Sequence, residues 1–372
     1  MAASTNPFLI KGYLDKNHFC DRGEETARLI KAMENGRNVT LSSIRRMGKT
    51  GLIYHVFSQL KKKNDCVYVD IMPTADLTDF TRTFGKAILN SLENPYQKSV
   101  KQLLGIFKRF TPTLSIDPAT GQPSFEISVT TTKESDATLE DIFNYLRSRK
   151  KKVIIAIDEF QQILNYPEKR TEALLRSYIQ RLNNVEFIFS GSQQHLLSQM
   201  FTNASRPFFQ STELHFLDRI SKDAYQKFII HHFASNQKKI KEQEINTLLE
   251  WTQLHTHYVQ SLCNKLYTQP EKELTHEVLN RCMQDILLEN ETYYYSYQRL
   301  LTDQQWNLLK AIAQEGFVSK INQREFLNRY KLSASTVQRS IKALEEREMV
   351  IYEKDAYRIY DVFLGRWLAA KF

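Results

Sequence analysis

The feature that most constrains this chain is a strand-like run, Asn38–Ser43, leading through the turn Ile44–Gly48 into Lys49-Thr50 at the head of a helical pattern. Over Lys49–Lys63, Leu52, Ile53, Val56, Phe57 and Leu60 fall on one stripe, so the helix has an apolar face to bury. A strand, a bend and a helix N-terminus in this order aim backbone N–H groups at one point and form an anion site. Gly48 lets the backbone approach phosphates, Lys49 supplies a point charge for the β and γ phosphates, and the Thr50 hydroxyl can enter an Mg²⁺ shell. Ser43, Ile44, Arg45, Arg46, Met47, Gly48, Lys49, Thr50 and Gly51 are therefore the expected contacts to ATP or ADP. Ser43 stands where the Gly-x-x-x-x-Gly-Lys-Thr pattern has its first glycine.

A second motif complements the first. Val153-Ile154-Ile155-Ala156-Ile157 is the most apolar strand of the chain, and it ends on Asp158-Glu159. Two carboxylates at the tip of a buried strand are costly unless a cation or water faces them. A hydrated Mg²⁺ beside Asp158 meets that need, with Glu159 polarising the attacking water. The alternative is an N-cap for the next helix. Ser190, at the end of the strand Val185–Phe189, and Ser192 are either γ-phosphate sensors or turn residues.

Strands alternate with helices up to about Asp218, which predicts a parallel α/β sheet of P-loop NTPase type, with an insertion over about 94–135. Beyond Asp218 the strand pattern stops, and four helical stretches end near a tyrosine-rich junction, Thr292–Tyr297. A third unit follows, with Ile321–Tyr330, the turn Lys331–Ser333 and Ala334–Arg347 as helix-turn-helix, then a two-stranded wing. Ser333 is placed as its N-cap and Val337, Ile341 and Leu344 as its inward stripe. Ser335, Thr336, Gln338, Arg339 and Lys342 then face outward, suited to phosphates and base edges of double-stranded DNA. The expected domains are 1–218, 219–297 and 298–372.

The formal charge of +9 over 372 residues fits a polyanionic partner or a solvated lysine-rich surface. The unit from Leu301 onward has 12 Lys and Arg against 9 Asp and Glu, a net of +3, so protein contact is the alternative use of the wing. No run approaches the roughly 18 apolar residues of a membrane helix. The start lacks a signal-peptide pattern, and the four cysteines have no metal-ligand spacing. The expectation is a cytoplasmic protein with reduced core thiols and no membrane partner.

With these residues in place, the chain resembles the AAA+/STAND class of P-loop ATPases, in particular archaeal and bacterial ATPases related to the origin-recognition group with a C-terminal winged helix. Arg45-Arg46-Met47-Gly48-Lys49-Thr50 is similar to the family's Arg-Arg-Val-Gly-Lys-Thr, and Asp158-Glu159-Phe160-Gln161 to its Asp-Glu-Phe-Gln. Phe19, Arg22 and Glu25 match a box that packs near adenine, which implies nucleotide contacts for Asp21 and Arg22; the plain alternative is a helix cap at Asp21. The resemblance makes the helical unit a lid, with His255 at its nucleotide-sensing position, although Leu254-His255-Thr256-His257-Tyr258 lacks the family's glycine and proline. The alternative places His255 or His257 plainly on a helix surface. It further implies that Arg206 reaches a neighbouring copy's nucleotide; the alternative is a salt bridge within the chain. The expected activity is Mg²⁺-dependent ATP hydrolysis coupled to DNA binding. The alternatives are a nucleotide-gated regulatory or defence switch with little hydrolysis, and a DNA binder with a vestigial nucleotide domain.

Overall fold

The computed structural model describes residues 6–93, 112–118 and 121–372. These form two compact units, one spanning Lys11–Arg219 and the other joining the residues up to Ile10 with Ile220–Phe372. Among the described residues no helix is long and apolar enough to cross a membrane.

The first unit is built on a parallel sheet of β1 (Val39–Ser42), β2 (Asp65–Asp70), β5 (Val153–Asp158), β6 (Val185–Gly191) and β7 (Glu213–Phe216). Their order is β2-β5-β6-β1-β7. All of β5 and β6 is buried, as expected of parallel strands covered on both faces. Alternation divides their side chains between two cores. Ile155, Phe187 and Phe189 meet Phe80 and Phe84 of α3 (Leu77–Leu92) and Leu139 and Ile142 of the helix Thr132–Ser148. Ile154, Ala156 and Ile188 meet Leu29 of α1 (Gly23–Glu34) and Leu52 and Val56 of α2 (Lys49–Leu60).

Part of the expected insertion, residues 94–111, 119 and 120, lies outside the described residues. The remainder contains the antiparallel hairpin of β3 (Pro112–Ile116) and β4 (Pro123–Ile127).

In the second unit the helices Lys222–Ser235, Glu242–Trp251 and Thr256–Tyr267 precede one long helix, His276–Leu300. The tyrosine-rich segment is therefore helical rather than a junction. No Gly or Pro interrupts it, and Tyr294 and Tyr295 pack on Trp367 with ring centroids 5.3 and 5.1 Å apart. Strands do not wholly stop at Asp218 either, since β8 (Lys239–Ile240) and β9 (Glu273–Leu274) pair in parallel. Two residues apiece leave no periodicity to detect.

The remaining elements are Asp303–Glu315, Arg324–Arg329 and Ala334–Glu346, the antiparallel pair β10 (Val350–Glu353) and β11 (Ala356–Ile359), and the helix Val362–Lys371. The Ser333 hydroxyl caps its helix by accepting from the Thr336 amide. Val337, Ile341 and Leu344 are buried; Ser335, Gln338, Arg339 and Lys342 are exposed and Thr336 is half-buried.

Candidate nucleotide site

The parallel register brings three strand tips together. Ser42 lies level with Gly191, and Ile157 with Phe189, so the bends after β1, β5 and β6 share one edge of the sheet. The loop after β1 turns through two left-handed residues, Arg46 at φ +64° and Gly48 at φ +91°. Gly48 takes this conformation without the steric penalty of a Cβ, and α2 starts at the next residue. Lys49 is 6% exposed. Its ammonium donates to the Ser43 carbonyl at 3.1 Å, the Ser43 hydroxyl at 3.2 Å and the Ile44 carbonyl at 3.4 Å, so the loop curls around the lysine head. Ser43 is buried, with its hydroxyl donating to the Ile44 carbonyl. Gly51 lies in the first turn of α2, where a Cβ would stand 3.6 Å from the Phe19 ring.

Opposite, Asp158 is 6% exposed and surrounded by donors. Its Oδ2 accepts from the Thr50 hydroxyl at 3.1 Å and the Tyr68 hydroxyl at 2.6 Å. Its Oδ1 accepts from the Ser190 hydroxyl at 2.5 Å and the Glu159 amide at 3.1 Å. Thr50 and Asp158 thus converge on one point, a donor set that fits Mg²⁺, which keeps waters and uses one or two carboxylates plus substrate phosphates. Glu159 leaves the strand at φ +55°, and its carboxylate accepts from Gln161 and Ser192.

Sequence reasoning did not single out Tyr68 or Asp70. Asp70 pairs with Asp158 in register, and burial first, then the charges of Asp158 and Glu159, pushes its carboxyl above the usual range. The rule that selected Asp158, a carboxylate at the end of an apolar strand, also selects Asp70. Tyr68 gave no such signal, because its reach to Asp158 depends on β2 lying beside β5.

The other expected site residues lie as follows. Arg22 is buried, and its guanidinium donates to the Met47 carbonyl at 3.3 Å, the Asp218 carbonyl at 2.6 Å and Glu25 at 2.9 Å, tying the N-terminal box to the phosphate loop. Asp21 is exposed and left-handed and does not cap α1, whose cap residue is Arg22. Arg206 forms an ion pair with Glu172 of the helix Thr171–Ile179. His255, in the second unit, is buried at the N-cap of Thr256–Tyr267 with its ring 4.7 Å from Tyr258.

Residues 19–262, more than half of the chain, match the family model described as an ATPase domain predominantly from Archaea. The chain belongs to this ATPase family. Residues 292–370 of this P-loop ATPase match the model of a probable winged helix domain. Its fold is similar to that of the Walker-type ATPase of Pyrococcus abyssi, with 18% identity and a TM-score of 0.66, covering 97% of this chain and 99% of that one. The ORC2 protein of Aeropyrum pernix, solved in ADPNP–ADP complexes, is similar at 13% identity and a TM-score of 0.61, covering 99% of this ATPase and 98% of that chain. The Aeropyrum pernix ORC1 protein, solved in complex with DNA, follows at 13% identity and a TM-score of 0.52, with 95% and 93% covered. No curated protein matches the ATPase by sequence.

Proposed function

We propose that this ATPase binds ATP with Mg²⁺ and hydrolyses it, and that its nucleotide state governs a winged helix that engages double-stranded DNA. The observation that carries the reading is the 3.1 Å hydrogen bond from Thr50 to Asp158, which joins the two phosphate-site motifs at one point.

The loop Ser43–Gly48 and the N-terminus of α2 would cradle the phosphates, and Lys49 would exchange its carbonyl partners for the β and γ oxygens. Thr50 and Asp158 would hold Mg²⁺, which neutralises phosphate charge when bound. Glu159 would orient and polarise the attacking water, and Ser190 would keep Asp158 in place through the bond to Oδ1. Arg206 would serve a neighbouring copy's nucleotide only after leaving Glu172, so self-association would have to break that ion pair. Within this reading residues 1–218, apart from the stretch up to Ile10 that joins the second unit, form the nucleotide domain, 219–297 the lid with His255 and 298–372 the winged helix, in a cytoplasmic protein. Asp21 and Arg22 lie on the nucleotide domain's side, with Arg22 acting through the loop backbone.

A second reading, a nucleotide-gated switch with little hydrolysis, is favoured by Ser43. Its carbonyl and hydroxyl both bind the Lys49 ammonium, and an ATP phosphate has to displace them. Steady-state ATP turnover of the wild type, Lys49→Ala and Glu159→Gln, with and without duplex DNA, separates the two. Turnover lost in both variants supports the hydrolytic reading. Tight ADP or ATP binding without multiple turnovers by the wild type supports the switch, and wild-type turnover unaffected by either substitution sinks the assigned mechanism.

A further inference from the structure

Glu159 has a backbone conformation that a residue with a Cβ holds only when its surroundings impose it. Those surroundings grip one oxygen. Oε2 accepts from the Gln161 amide at 2.6 Å, the Ser192 backbone N–H at 3.1 Å and the Ser192 hydroxyl at 2.9 Å. Among the described residues no hydrogen bond falls on Oε1, so the carboxylate is fixed through one oxygen with the other available to a water.

Both gripping side chains are themselves placed by the sheet. Gln161 is 4% exposed, and its Oε1 is buried without a hydrogen-bond partner. Leaving that oxygen unpaired is unfavourable, and turning the amide over would set the oxygen against the Glu159 carboxylate. The Gln161 side chain fits because residue 191 is glycine. A Cβ there would stand 2.0 Å from Gln161 Oε1 and 3.0 Å from its Cδ. Ser192 follows this glycine, and its hydroxyl, having donated to Glu159, accepts from Arg45 Nε at 3.2 Å. Arg45 belongs to the phosphate loop. A continuous polar path therefore runs from that loop, across the tip of β6, to the carboxylate at the tip of β5.

We propose that Gln161 and Ser192 are positioning residues that aim Glu159, and that Arg45 couples their grip to the phosphate loop. The proposal rests on the reading of Glu159 as the water-polarising group and goes beyond it by naming what orients that group and what informs it of phosphate. Neither Gln161 nor Ser192 needs to touch the nucleotide.

The test uses the full chain. Gln161→Leu and Ser192→Ala each remove a donor to a carboxylate, and kcat is expected to fall roughly tenfold to a hundredfold in each. Affinity for a fluorescent ADP analogue should stay near wild type. Ser192→Thr keeps the hydroxyl and should recover most of the turnover. Arg45→Met should lower kcat less in the Ser192→Ala background than in the wild type, because its influence passes through that hydroxyl. Wild-type kcat in both Gln161→Leu and Ser192→Ala, with Glu159→Gln inactive, would overturn the proposal, and so would a loss of ADP affinity parallel to the loss of kcat. Wild-type turnover in Glu159→Gln would instead remove the underlying reading of Glu159, and the two failures are told apart by that one variant.

Discussion

At the scale of single residues, Asp158 shows how a buried charge is made tolerable. A carboxylate in an apolar strand needs donors for both oxygens, and it obtains two for each. Tyr68 is the donor that the sequence did not single out. Burial, followed by the charge of Asp158, pushes its phenol well above the ordinary range, so the hydroxyl stays protonated and donating. Tyr68→Phe keeps the ring and deletes the donor. Loss of a hydrogen bond to a charged group is expected to lower stability by about 1.5–3 kcal/mol. The check is urea unfolding, with a lowered midpoint and an unchanged m-value; an unchanged midpoint would mean that Tyr68 gives Asp158 no net support. Lys49, Thr50, Asp158 and Glu159 were legible in the sequence because each occupies a fixed offset from a strand end. Tyr68 and the Arg45–Ser192 contact were not, because each joins segments that only the strand order makes neighbours; Gln161 stood in the Asp-Glu-Phe-Gln match, but without a role.

At the scale of elements, the alternation of apolar strands and amphipathic helices gave the sheet away, and the strand tips gave the site edge. The order β2-β5-β6-β1-β7 could not be read, since apolar runs such as Val153–Ile157 and Val185–Phe189 carry no mark of their partners. The core depends on their packing. Ile155 is fully buried at the middle of β5, and Ile155→Ala is expected to cost about 2–5 kcal/mol, measured by denaturant unfolding. A second expectation concerns the helix Thr171–Ile179. Burial, the largest influence, lifts the Glu172 carboxyl above its usual range despite the pull of Arg206. A carboxyl that binds its proton more tightly when folded favours the folded state at low pH. Its contribution is lost as pH rises from the unfolded value, about 4.3, through the raised folded one, with a slope of at most ~1.4 kcal/mol per pH unit. Glu172→Gln should flatten the stability profile over that window, as followed by unfolding midpoints between acid and neutral pH. An identical slope in the variant would show that Glu172 titrates alike in both states.

At the scale of the whole molecule, charge frames the question of DNA. A net charge of +9 will attract any polyanion at low salt, so binding alone says little about the winged helix. The informative quantity is the number of phosphates neutralised, which appears as the slope of log affinity against log salt, about 0.9 per contact on duplex DNA. On the helix Ala334–Glu346, Arg339 and Lys342 are exposed. Neighbouring cations are already engaged: Arg329 pairs with Glu315 and Glu325, Arg347 donates to the Leu300 carbonyl, and Arg358 lies over the Phe317 ring. If the exposed helix face meets the phosphates, Arg339→Ala with Lys342→Ala should weaken binding of the full chain to duplex DNA and reduce the salt slope by about 1.8. Fluorescence anisotropy over a salt series measures both. A diffuse attraction spread over the whole surface would lose only a small share of its affinity, with the slope nearly unchanged, and the winged helix would then be left to protein contacts. The slope therefore separates a built DNA-binding face from bulk charge.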